Sequence, residues 1–230
     1  MTPPPGTLYL VSTPIGNPED ITGRALRILR EADVVVCEER KEGERLLARY
    51  GIRDKVLEML NEHNEAAASW HILEHLRGGR SVAVVSDAGT PVFSDPGRIL
   101  VQQAIDAGLP IVPVPGASSL LPALTVSGFP VDSFLFCGFL SPKSNRRRTE
   151  LHALRQEKRT MVLMDTPYRL GALLKDVAEV LGADRRACVA FNLTMPDETI
   201  FRGSAGELSA AVQKKNIKGE FVLVVGGRPR

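Results

Sequence analysis

Cysteine is scarce in this chain, and what there is does not cluster. Cys37, Cys137 and Cys188 are odd in number, far apart, and form no C-x-x-C pair. That argues against a disulfide framework and a cysteine-based zinc site, and fits a reducing cytoplasm. Long apolar runs are missing too. The nearest, around Val112 to Val126, is broken by prolines and serines and falls short of the ~20 residues of a membrane span. Met1 to Gly6 is too polar and Pro-rich for a signal peptide. An excess of either charge is missing as well: 29 Lys and Arg stand against 27 Asp and Glu, a formal net charge of +2, so any affinity for nucleic acid has to come from a local patch. There is no internal repeat and no low-complexity segment. What remains is a globular composition, 43% hydrophobic and 24% charged over 230 residues, enough for one large domain or two small ones.

The most informative stretch is Val82 to Gly97, VAVVSDAGTPVFSDPG. Four apolar, mostly β-branched residues read as a strand buried on both faces. Small, polar or conformationally special residues follow at once, from Ser86 to Pro91 and again from Ser94 to Gly97. A loop at the carboxyl end of a parallel strand is where open α/β sheets place ligands. It contains neither a Walker pattern nor G-x-G-x-x-G, so it is not a phosphate cradle. Taken alone, it is also compatible with an ordinary strand-to-helix loop.

The flanking chain supplies the sheet. Thr7–Thr13 is a strand ending in the turn Pro14-Ile-Gly-Asn-Pro18, and Asp20 or Thr22 can cap the helix that follows. Asp33–Cys37 is a second strand, giving the strand–helix–strand pattern of a parallel sheet. Glu38 and Glu39 stand at its carboxyl end, either as functional groups or as acidic residues at a helix start. Val56–Leu60 is a third strand, followed by the polar knot Asn61-Glu-His-Asn-Glu65 and a helix from Ala66 to Leu76. His63, His71 and His75 invite a metal site, with His71 and His75 four apart on that helix, but no H-E-x-x-H or carboxylate pattern completes the set, so a solvated helix face is the favoured reading. A helix over 97–107 leads to a buried strand at Ile111 and the turn Pro115-Gly-Ala-Ser-Ser119. Ser118 and Ser119 stand at a helix start, as N-caps or beside exposed amides. Several loops of small residues therefore meet at one edge of the sheet, which argues for a binding edge more strongly than any one of them.

The second half differs. Phe134–Phe139, Thr160–Met164, Ala187–Leu193, Glu198–Arg202 and Glu220–Val225 read as strands, with a helix near Leu170–Leu181, and adjacent strands without long helices between them imply a mixed sheet. Ser141 to Arg148 is a basic loop, read either as a phosphate contact or as a solvated helix start.

Five segments carry a resemblance to a known family: TLYLVSTPIGNPEDITGRAL (Thr7–Leu26), NEHNE (Asn61–Glu65), VSDAGTPVFSDPG (Val85–Gly97), VPVPGASS (Val112–Ser119) and KGEFVLVV (Lys218–Val225). In this order they resemble the tetrapyrrole methylase superfamily of S-adenosylmethionine-dependent methyltransferases. The branch they look most like methylates small-subunit ribosomal RNA, and the likeness spans nearly the whole chain. It implies a two-domain α/β fold: residues 1–116 with a parallel sheet and flanking helices, residues 117–230 with a mixed sheet and helices, and the cofactor in the cleft between them. It implies a homodimer, no metal, and a cytoplasmic protein acting on ribosomal RNA or the small ribosomal subunit. Carried over by position, Pro14, Ala88, Gly89, Thr90, Phe93, Ser118 and Ser119 contact the cofactor, with Asp165 and Leu193 from the second domain. Methylation of a ribose 2′-hydroxyl benefits from a base, for which Glu38, Glu39, Glu62, His63, Glu65 and Asp87 are candidates. Lys143, Arg146, Arg147 and Arg148 are the expected RNA contacts.

The departures fall on the substrate side. The branch's E-D-T-R-x-T is Glu38-Glu-Arg-Lys-Glu-Gly43 here, E-S-P-H-R is Asp165-Thr-Pro-Tyr-Arg169, and R-E-L-T-K is Phe191-Asn-Leu-Thr-Met195. The chain also stops soon after Val225, where those enzymes commonly continue. A methyltransferase acting on a tetrapyrrole or another small molecule, and a non-catalytic module that binds S-adenosylmethionine, stand as the alternatives.

Overall fold

The computed structural model describes residues 6–215 and 217–228, which divide into two compact units, Met1–Ser118 and Ser119–Arg230. The Pro-rich start lies outside the described residues, apart from Gly6.

The first unit is a parallel five-stranded sheet with helices on both faces. Its strands are β1 (Leu8–Val11), β2 (Val34–Cys37), β3 (Val56–Met59), β4 (Val82–Val85) and β5 (Ile111–Val114), in the order β3-β2-β4-β1-β5. Every pairing is parallel, so every strand delivers its following loop to the same edge. The period-2 alternation of strand side chains divides the core. Val35, Cys37, Ala83 and Val85 face α1 (Gly23–Glu31) and α2 (Arg40–Arg49). Val34, Val36, Val82 and Val84 face α3 (Glu65–Arg77) and α4 (Arg98–Asp106). Burial on both faces is why β2 and β4 read as unbroken apolar runs. Thr22 is the residue that caps α1, its hydroxyl accepting from the Ala25 N–H at 3.0 Å. Asp20 instead ends the short 3-10 turn Pro18–Asp20. At the opposite edge of the sheet, Ser81 donates from its N–H and its hydroxyl to Asp33, which holds the Asp33 carboxyl below the usual carboxylate range.

The second unit opens with α5 (Leu120–Ser127) and carries β6 (Phe134–Phe139), β7 (Thr160–Met164), β8 (Arg186–Phe191), β9 (Thr199–Ser204) and β10 (Phe221–Val225). The sheet order is β6-β7-β10-β8-β9, with β6 and β7 parallel and the other neighbours antiparallel. A mixed sheet is therefore what the second half forms. Between the strands lie α6 (Ser144–Ala153), α7 (Leu170–Leu181) and α8 (Ala205–Lys215). The helix α8, between β9 and β10, was not foreseen; its apolar residues are few, and it packs on the core through Ala205, Leu208 and Val212.

The stretch Ser141–Arg148 is a loop only as far as Lys143. From Ser144 onward it is the first turns of α6, and Arg147 is buried. Its Nε donates to Asp176 on α7 at 2.8 Å, and the Ser144 hydroxyl donates to the same carboxylate. Removing one member of a buried ion pair strands the other, at a cost of about 3–5 kcal/mol. Asp176→Ala is expected to destabilise the protein by that amount in chemical denaturation. Replacing Arg147 and Asp176 together with apolar residues of matched volume is expected to cost far less.

Candidate functional site

The loops after β1, β4 and β5 are bound into one assembly at the carboxyl edge of the first unit's sheet. Thr13 donates from N to the Gly89 carbonyl at 2.9 Å, and Gly89 donates back to the Thr13 carbonyl at 3.0 Å. The Thr13 hydroxyl donates to the Ser86 carbonyl at 2.9 Å. The Ser12 and Thr90 hydroxyls are 3.1 Å apart, and Thr90 reaches on to the Ala117 carbonyl at 3.4 Å. Gly89 has φ +86°, and a Cβ there would lie 3.3 Å from Ile15 Cγ2, so a glycine is what the bridge demands. Ser86 folds the loop on itself, its hydroxyl accepting from the Ala88 N–H and donating to the Ala88 carbonyl.

Two pockets border the carboxyl ends of β2 and β4. One is lined by Pro14, Cys37, Gly43, Tyr50, Ser86 and Asp87 among others, the other by Glu38, Leu60, Ser86, Pro91 and Asp95. Gly43 lets α2 approach β2, since a Cβ on it would meet Cys37 Sγ at 2.5 Å. Burial pushes the Cys37 thiol up to about 11, so it is not a nucleophile at neutral pH.

Electrostatics distinguishes the carboxylates. Burial, and then the charges of Asp87, Asp95, Glu39 and Glu62, push the Glu38 carboxyl above its ordinary value. Burial, and then Glu39, Glu42 and Asp95, do the same to Asp87. Desolvation plus like charge in a cleft is the arrangement that raises a carboxylate toward general-base strength. Asp95 and Glu42 were not singled out in the sequence. The signal for Asp95 was the second Ser-Asp of the S-D-A-G-T-P-x-x-S-D-P-G run.

Glu65 has another occupation. Its Oε1 accepts from the N–H of Gly97 at 2.9 Å and of Ile99 at 3.1 Å, capping α4 from outside. Asn61 and Asn64 hold the turn before α3, with Asn64 Oδ1 accepting from the Asn61 N–H and Asn64 Nδ2 donating to the Met59 carbonyl. The knot Asn61–Glu65 is thus largely structural, and it leaves Glu62 and His63 on the surface. His75 does not sit on a solvated helix face: its ring is largely buried, and Glu58 of β3 stands beside both it and His71.

Of the other expected cofactor contacts, Ala88 and Thr90 are exposed, Phe93 is half exposed, and Pro14 and Ser118 are partly exposed. Ser119 occupies the N-cap position of α5, but its side chain makes no cap bond, so simple capping does not describe it. In the second unit, Asp165 is buried and paired with Arg169 Nε at 2.8 Å. Its Oδ2 and Arg169 Nη1 make no hydrogen bond inside the chain although both are buried, and burial raises the carboxyl above its ordinary value. Such residual capacity suits a polar ligand. Leu193 is buried. The four cations of the basic stretch separate: Arg147 is consumed by Asp176, Arg148 pairs with Glu179, and Lys143 and Arg146 are exposed, Arg146 within 3.4 Å of Glu150.

A parallel α/β unit with this loop assembly, followed by a unit built on a mixed sheet, is a known combination. Residues 7–209 match the family of Tetrapyrrole (Corrin/Porphyrin) Methylases, and the chain belongs to that family. It is a methyltransferase, with S-adenosylmethionine as methyl donor. Curated relatives narrow the likeness. The chain is 45% identical, over 97% of its own length and 71% of the relative's, to the ribosomal RNA small subunit methyltransferase I of Micromonospora olivasterospora. It is 46% identical, over 95% of its length and 74% of the relative's, to the protein of the same name from Mesorhizobium japonicum. Among solved structures, diphthine synthase shares the fold, with a TM-score of 0.76 at 19% identity, covering 96% of this chain and 90% of that one.

The loop assembly generates two expectations. Gly89→Val is expected to abolish cofactor binding in calorimetry, because a β-branched residue at φ +86° forces the Thr13 bridge apart. Glu65→Ala is expected to lower stability by about 1–3 kcal/mol in thermal denaturation, since the amides of Gly97 and Ile99 lose a charged acceptor.

Proposed function

We propose that this chain methylates a ribose 2′-hydroxyl, that of a cytidine, in small-subunit ribosomal RNA. The observation that carries the acceptor is the 45–46% identity, over nearly the whole chain, to proteins named for that RNA. In keeping with the resemblance, it works in the cytoplasm as a homodimer; no helix among the described residues is long and apolar enough to cross a membrane.

The residues present fit the cofactor. The loop Ser86–Pro91 offers small side chains and a glycine-shaped close approach, with hydroxyls and main chain in place of a phosphate cradle. Pro14, Ala88, Gly89, Thr90, Phe93, Ser118 and Ser119 are the contacts from the loop assembly and the chain after β5, and the resemblance adds Asp165 and Leu193. When bound, S-adenosylmethionine supplies its methyl group by in-line displacement at carbon, the C–S bond breaking as the C–O bond to the acceptor forms. The protein's share is alignment, which can supply several of the ~7–11 kcal/mol available from positioning, and removal of the hydroxyl proton. Asp87 and Glu38 are the bases the site supports best, being partly desolvated and beside the cofactor loop. Burial holds the Asp87 carboxyl above its ordinary value, and Glu39, at the N-cap of α2, adds to this with its negative charge. Exposed Lys143 and Arg146 offer positive charge to the RNA backbone, and Arg148 does so only partly because Glu179 shares it.

The test is transfer from tritiated S-adenosylmethionine to small ribosomal subunits of a strain lacking the endogenous activity. Label mapping to a ribose is the expected result. Cofactor binding without label would overturn the acceptor, and label passing to an added tetrapyrrole would assign the alternative. Asp87→Asn and Glu38→Gln should each be assayed, with a loss of roughly 10²–10⁴-fold for whichever is the base. That base must be ionised, so the rate should fall as pH drops through a value above the ~4 of an ordinary carboxylate. The folded state binds protons more tightly than the unfolded state at both carboxyls, so their ionisation costs stability as pH rises through their raised pKa values. Asp87 is exposed, where solvent screens such repulsion, so Glu38→Gln, at the less exposed of the two, is the substitution expected to raise the melting temperature at neutral pH.

A further inference from the structure

Three side chains that methyl transfer does not use converge at the open edge of the first unit's sheet. β3 is the edge strand, and its parallel register with β2 sets Glu58 opposite Val36. Val36 lies on the α3 face of the sheet, and alternation puts Glu58 there too. His71 and His75 are one helical turn apart on α3, so their rings share a face. Glu58 Oε1 lies 3.5 Å from His71 Nε2 and 3.5 Å from His75 Nε2. One ligand atom from each residue can be chosen so that all lie within 4.8 Å of one another. The two rings meet edge to face, with centroids 5.0 Å apart.

These separations are long for hydrogen bonds. They are the separations of ligands on a common ion: donors about 2.0–2.2 Å from zinc stand roughly 3.3–3.6 Å apart across a tetrahedral angle. His75 Nε2 is buried and makes no hydrogen bond inside the chain. We propose that Glu58, His71 and His75 form a binding site for one divalent transition-metal ion of the zinc class, with water as the fourth ligand. Two imidazoles and one carboxylate suit zinc better than calcium or magnesium, which take mostly oxygen. The ion joins the edge strand to α3 and fixes both ends of the turn Leu60–Asn64 between them.

Arg80 sets the opposing term. Its Nη1 lies 3.2 Å from His75 Nδ1, and a guanidinium only donates, so in this state Nδ1 accepts and Nε2 carries the ring hydrogen. Coordination through Nε2 leaves the hydrogen on Nδ1 and releases Arg80, which is exposed. Arg80 thus competes with loading by hydrogen bond and by charge.

The site is independent of the acceptor reading, and its test does not use activity. The intact chain is titrated with zinc alone in calorimetry and with cobalt(II) in visible spectroscopy. The expected result is one ion per chain and a four-coordinate cobalt spectrum without a thiolate charge-transfer band. His71 is 62% exposed, so His71→Ala leaves the fold intact. His71→Ala and Glu58→Gln should each weaken binding beyond the roughly 10–100-fold that loss of an outer-shell partner costs. His152→Ala should change nothing, and Arg80→Ala should tighten binding. No saturable binding by the unmodified chain, unchanged affinity in His71→Ala, or a thiolate band from the cysteines would each overturn the site.

Discussion

Two main-chain hydrogen bonds, exchanged between Thr13 and Gly89, hold the loop after β4 against the loop after β1. The rest of the site follows from that bridge. β1 lies between β4 and β5 in a wholly parallel sheet, so the three loops leave at one edge and have to share a narrow space. The bridge requires a left-handed residue at Gly89, and the hydroxyl contacts from Ser12 through Thr90 to Ala117 carry the restraint into the loop after β5. The small residues of these loops are therefore a packing requirement as much as a binding surface. A rigid scaffold presenting exposed main chain is what positions a ligand with little reorganisation at the moment of reaction.

The distribution of partners among the carboxylates separates architecture from chemistry. Asp33 accepts hydrogen bonds from Ser81, Asp176 is paired with Arg147, and Glu65 accepts from two amides at the start of α4. Glu38 and Asp87 instead sit partly desolvated among other carboxylates, where each opposes the ionisation of the next. That arrangement lowers stability, and proteins keep it where a perturbed carboxylate has work to perform. Asp87 lines one of the two pockets at the sheet edge and Glu38 lines the other.

Most elements were legible because burial writes itself into local pattern. β2 and β4 are unbroken apolar runs since both faces are covered, and α7 spans Leu170–Leu181 as its apolar periodicity indicates. α8 was missed because its apolar stripe is weak and its helix packs chiefly on α7, and less on β9 and β8, contacts that local pattern does not reveal. The basic stretch after Ser141 was legible as charge but not as structure: no local feature distinguishes Arg147, which Asp176 buries from 29 residues away, from exposed Arg146.

The sequence by itself determined the parallel first half, the mixed second half, the family and the loop on which the site is built. These depend on short-range signals: strand alternation, turn residues and the contiguous S-D-A-G-T-P-x-x-S-D-P-G run. Only the tertiary structure decided which polar residues are spent on the fold. Glu65 became the cap of α4, Arg147 a buried partner, and Glu58 the carboxylate that joins His71 and His75. Each of those partnerships closes across tens of residues or between separate elements, and spacing along the chain carries no information about contacts that sheet register and helix packing create.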